Sequence, residues 1–156
     1  VKAIQDVLEE IKNEQLFPTI ITSEYKYEEP NLYVPFTPDI HIGKVGKSDN
    51  WNPIETSSLI LDIHTKLLER ARKASDNNIG EVLLVLGNDL LHVDGMNLTT
   101  ARGTQMETTT DYHNIFKIVV KMCREMINLY ARQYKVNVLI IPGNHDYSSS
   151  WHVGEV

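Results

Sequence analysis

A single cysteine, Cys123, limits this 156-residue chain first, because one thiol cannot close an internal disulfide. It falls on a helical pattern and reads as a small apolar packing residue, so a reducing cytoplasm is the expected compartment. Long apolar runs are also missing, and nothing approaches the ~18–20 residues of a membrane span. The first residues are amphipathic and acidic, which does not read as a signal peptide. Basic residues are in deficit. A net charge of -6 argues against a broad nucleic-acid surface, although bound divalent cations would invert that charge locally. The chain has no glycine-rich phosphate loop of either common type, which ranks a plain nucleotide-binding domain last. It has no internal repeat and no low-complexity segment. It opens on Val and closes on Gly154-Glu155-Val156, as a fragment or processed product would.

What is present fits one globular domain, with an ordinary apolar fraction of 42%. Residues 2–14 carry Ile4, Val7, Leu8 and Ile11 at helical spacing. Residues 18–36 alternate loosely and are rich in Tyr, Thr and Ile, while Pro30, Pro35 and Pro38 limit any regular ladder. Residues 1–30 therefore read as an extension of a helix plus a strand-like segment, ahead of a domain over 31–156. The spacing predicts a helix from about Ser57 to Ser75, with Gly80 as its stop. Glu81–Leu86 reads as a strand covered on both faces. After a polar loop over 94–109, Thr109 or Thr110 would cap a second helix reaching about Tyr134, with Asp111 in its first turn. Val136–Ile141 is the last strand. Alternating strands and helices imply an α/β fold with a largely parallel sheet and flanking helices. Sites in such sheets lie beyond the carboxyl ends of the strands.

Three polar groups fall at those ends. Tyr33–Ile40 reads as a strand that ends at Asp39 and His41; in an extended chain these two side chains point to the same side. A carboxylate and an imidazole together suit Mn²⁺, Zn²⁺ or Fe. Val82–Leu86 ends at Gly87-Asn88-Asp89, with His92 and Asp94 beyond; Asp89 would bridge two cations, or Asn88-Asp89 would form a turn. Asp94 ranks second as a carboxylate, and His92 either reaches the same cavity or caps the loop. Val136–Ile141 ends at Gly143-Asn144-His145-Asp146. That tetrad supplies an amide carbonyl, a proton-donating imidazole and a carboxylate able to orient either.

Asp39-Ile40-His41, Gly87-Asn88-Asp89 and Gly143-Asn144-His145-Asp146, each after a strand, resemble the D-x-H, G-D and G-N-H-D/E signature of the calcineurin-like metallophosphoesterase superfamily. The resemblance covers residues 32 to about 147. Asp39-Ile40-His41-Ile42-Gly43 and Asp89-Leu90-Leu91-His92 further resemble its SbcD-type DNA-repair nuclease branch. It implies half of a two-sheet sandwich. It also implies two divalent metal ions, Mn foremost with Zn, Fe or Mg as alternatives. In that scheme Asp39 and His41 bind one metal, Asn144 binds the second, and Asp89 bridges them. His145 would stabilise or protonate the departing oxygen, and Asp89 and His92 count with it as the catalytic residues. The implied substrate is a phosphoester, with DNA or a nucleotide as candidates.

Two departures stand out. Asn88 occupies the place of a family glycine, and Asn tolerates a left-handed backbone. The family's later histidines, in a G-H-x-H segment, have only His152 as a counterpart. A longer parent chain or a second chain would complete the set. The alternative is a fold-retaining scaffold with poor catalysis that binds a protein partner. His64 and His113 read as surface or packing residues. Lys44, Lys47 and Arg102 lie on loops from which they would contact a phosphate or remain solvated.

Overall fold

The computed structural model describes residues 29–46 and 52–155. The helix expected over 2–14, the first part of the stretch 18–36, and Lys47 lie outside them. The apolar segments assemble as a three-stranded parallel sheet in the order β1 (Asn31–Tyr33), β2 (Ile79–Gly87), β3 (Lys135–Ile141). The class is α/β, as expected. Parallel neighbours need a long crossover. Helix α1 (Pro53–Ala74) joins β1 to β2, helix α2 (Tyr112–Ala131) joins β2 to β3, and α3 (Tyr147–Gly154) follows β3. Strands β2 and β3 run in unbroken register from Glu81 opposite Lys135 to Gly87 opposite Ile141. Among the described residues, no helix is long and apolar enough to cross a membrane.

A strand over Tyr33–Ile40 does not form. Beyond Tyr33 only Phe36 bridges β2, opposite Val85. Pro35 and Pro38 have no amide proton to give a ladder. Asp39 and His41 then turn to φ 57° and 50°, so the expected extended D-x-H geometry is replaced by a left-handed one. Helix α1 begins at Pro53, about four residues before the expected Ser57, because Asn52 accepts the Ile54 amide at 2.8 Å and Pro53 suits the first helical position. The expected stop at Gly80 is instead inside β2. The chain reverses at Asp76 and Asn77, both at positive φ. Asp111, rather than Thr109 or Thr110, caps α2 by accepting the Asn114 amide at 3.0 Å. That helix closes at Ala131, short of Tyr134.

Strand alternation sends Val82, Leu84 and Leu86 to one face, where they meet Ile115, Phe116, Val119, Met122 and Met126 of α2 in a single apolar cluster. Each such side chain contributes about 1.5–3 kcal/mol by leaving water. Helix α1 packs on α2 and adds Leu68. Cys123 is buried in this cluster, and loss of water around it pushes its thiol up to about 12. It packs as the sequence suggests. This rigid stack holds the carboxyl ends of β2 and β3 side by side.

Candidate metal centre

The loops after the three strands meet at those ends through backbone pairing. The Asp39 amide donates to the Asn88 carbonyl at 2.9 Å, and the His41 amide to the Asp89 carbonyl at 2.9 Å. The His145 amide donates to the Asp89 carboxylate at 2.7 Å. Two groups of potential ligands result: His41, His92 and His145, and Asp39, His41 and Asp89. Within each, one ligand atom per residue lies within 4.8 Å of the others. His41 belongs to both.

The donor set fits a divalent cation. His92 Nδ1 and His41 Nδ1 are 3.3 Å apart. Two nitrogens bound at ~2.0–2.1 Å on a tetrahedral centre would be about 3.3–3.4 Å apart. The His145 Nδ1 lies 2.9 Å from the His92 carbonyl, which can only accept, so Nδ1 carries the proton and Nε2 presents its lone pair. The three rings are close-packed. His92 stacks on His145 with 5.3 Å between centroids, and His41 meets His145 edge-on at 4.5 Å. Burial lowers the pKa of His41, and His145 adds to the effect while Asp89 opposes it. Burial, then His41, His145 and Lys44, push His92 down to about 4. Neutral imidazoles near pH 7 are the form that binds metal.

The backbone here is strained. Asp39, His41, Asn88 and Asp89 all have positive φ. Each costs on the order of 1 kcal/mol in a non-glycine residue, and such outliers concentrate at functional sites. Glycine is required at two adjoining points. A Cβ on Gly87 would collide with the Ile141 carbonyl, and one on Gly143 with the Asp89 carboxylate and amide. Gly143 therefore lets the third loop close onto the Asp89 side chain.

Asp146, fully buried, accepts the Gly143 amide at 2.9 Å and the Leu91 amide at 3.1 Å. It orients the two loops rather than a ring. Asp94 accepts the Ser148 and Ser149 amides, both at 2.8 Å, and so caps α3 from a distant loop. Its carboxylate is committed there. Asn144 has an exposed side chain and its carbonyl accepts the Ala101 amide at 3.0 Å; the two groups described above contain His and Asp only. Lys44 is exposed, and its charge acts on both His41 and His92. Arg102 is exposed on its loop. His152, on α3, pairs with Glu155 at 3.1 Å, and His113 is half-buried in the first turn of α2. Neither joins the cluster.

His64 is a packing residue with a specific job. It is 1% exposed, with Nε2 3.0 Å from the Thr37 hydroxyl and Nδ1 2.7 Å from the Tyr130 hydroxyl. Burial pushes it down to about 4, so it is neutral. It ties the cores of α1 and α2 to the segment that carries Asp39. A mid-helix histidine on an apolar face is the only sequence signal for this.

Comparison with protein-family models, with curated proteins and with solved structures finds no match to the chain.

Proposed function

We propose that the chain is the ligand-bearing part of a dinuclear metal-dependent phosphoester hydrolase of the metallophosphoesterase type, acting on phosphodiesters. One observation carries the reading: two cation-sized groups of His and Asp side chains share His41 at the carboxyl end of a parallel sheet. Divalent cations held there would lower the pKa of water towards neutrality and offset phosphate charge. Asp39, His41, Asp89, His92 and His145 are the side chains able to hold them, and Asn144 would add a neutral carbonyl. The His145 amide steadies Asp89. Asp146 pins the loops that carry Asn144 and His145 on one side and His92 on the other. Lys44 would meet a phosphate oxygen as a point charge. The carbonyl contact at Nδ1 leaves His145 a single free ring nitrogen. Ligation and proton transfer to a departing oxygen therefore compete for Nε2.

Metal titration tests the proposal. The complete protein should take up about two Mn²⁺ per molecule and hydrolyse bis(p-nitrophenyl) phosphate. Asp89→Asn should keep the fold and lose turnover; near-normal turnover in that variant refutes a ligand role for Asp89. A protein-binding scaffold is the second reading. Val138, Leu139 and Ile141 of β3, and the neighbouring Trp151, expose apolar surface that favours it. Failure to bind metal and to hydrolyse any phosphoester supports the scaffold.

A further inference from the structure

A cavity of about 520 Å³ opens directly off the candidate metal centre, within the ~300–1,000 Å³ range of small-ligand sites. Asp39, His41 and Lys44 line it together with the apolar Phe36, Pro38 and Leu59. Phe36 and Leu59 are 41% and 54% exposed. Apolar side chains left wet beside a cluster of ligand groups are available to a substrate. The Phe36 backbone is held by its bridge to Val85, and Leu59 sits on α1, so both walls rest on regular structure.

We propose that this cavity receives a flat aromatic group, of nucleobase size, on the ester arm of the phosphodiester that is not cleaved. The inference rests on the metal-site reading above. Charge complementarity orients the substrate: the anionic phosphate goes to Lys44 and to the cation that Asp39 and His41 would hold, and the apolar arm goes to Phe36 and Leu59. Aromatic side chains take the π-face of any base, which is why such platforms tolerate sequence. The two hydroxyls that line the cavity are already engaged. Thr37 meets His64 at 3.0 Å, and Thr56 donates to the Asn52 carbonyl at 3.0 Å. The walls thus offer apolar surface rather than a set of donors and acceptors for base edges.

Two esters with the same leaving group separate the arm from the chemistry: thymidine 5′-(p-nitrophenyl phosphate) and methyl p-nitrophenyl phosphate. In each, water adds to phosphorus, the P–O bond to p-nitrophenolate breaks, and the water's proton goes to solvent. With Mn²⁺ present, kcat/KM should favour the thymidine ester by about tenfold or more. Phe36→Ala and Leu59→Ser should each lower that preference severalfold, mainly through KM. Calorimetry with thymidine 5′-monophosphate and with methyl phosphate should rank the two phosphates the same way, without turnover. Hydrolysis of both esters at equal efficiency, or a preference unmoved by both substitutions, overturns the aromatic subsite alone. Absence of hydrolysis of either ester together with absence of metal binding overturns the metal-site reading and the subsite together.

Discussion

Protonation of His64 offers a quantitative test of the core that supports the Asp39 segment. Its folded-state pKa is lowered from 6.5 to about 4, chiefly by burial. The unfolded chain therefore binds the proton more readily, and folding stability falls as pH drops through 6.5 and levels off below about 4. A gap of about 2.5 pH units is worth about 3 kcal/mol when fully expressed, and about 2 kcal/mol at pH 5. His64→Gln removes this titration while keeping an amide to face Thr37 and Tyr130. Its stability relative to the parent should improve by about 2 kcal/mol between pH 7.5 and pH 5. Urea unfolding of both proteins at a series of pH values, with chelator present, measures the difference. His41 and His92 titrate in both proteins and cancel. Parallel stability curves for parent and variant across that range would refute a buried, neutral His64.

Three further outcomes follow from other contacts. Gly143→Ala forces a Cβ into the Asp89 carboxylate and amide; metal affinity measured by calorimetry should fall at least tenfold, and unchanged affinity would show that the loops need not close. Asp94→Ala strips two amide contacts from the start of α3 and should cost about 1 kcal/mol in urea unfolding; no loss would mean that the cap is not formed in solution. The Cys123 thiol, buried and pushed up to about 12, should resist a thiol reagent at pH 8 in the folded protein and react at once in denaturant; rapid labelling of the folded protein would contradict its burial.

Where periodicity and local chemistry coincide, sequence and structure agree. Helix α2 and strand β2 fall where their apolar spacing places them, because the same residues that repeat also make the core; β3 also falls on its apolar run, although only Val136 and Ile140 of it pack against that core. The boundaries moved where one residue type has two roles. Asn52-Pro53 reads as loop punctuation, yet it also caps and opens α1. The Asp39–His41 segment departs most from its sequence pattern: two prolines interrupt the ladder, and the site residues take left-handed angles that no alternation pattern encodes. Long-range partners were invisible. Asp94 is 54 and 55 residues from the two amides it caps, and Asp146 is 55 residues from Leu91. The ring-to-ring contact of His41 and His92 spans 51 residues and depends on how two loops pair.

Strand β3 lies at one end of the sheet order, and among the described residues its outer side has no ladder partner. It is seven residues long and carries no proline; its single lysine, Lys135, stands at its first position. Strand margins usually escape aggregation through brevity, interior charge or a kink, and this one relies on none of them. Where no other segment covers that margin, copies of the chain should pair along it at high concentration. Leu139→Lys should suppress the resulting light scattering.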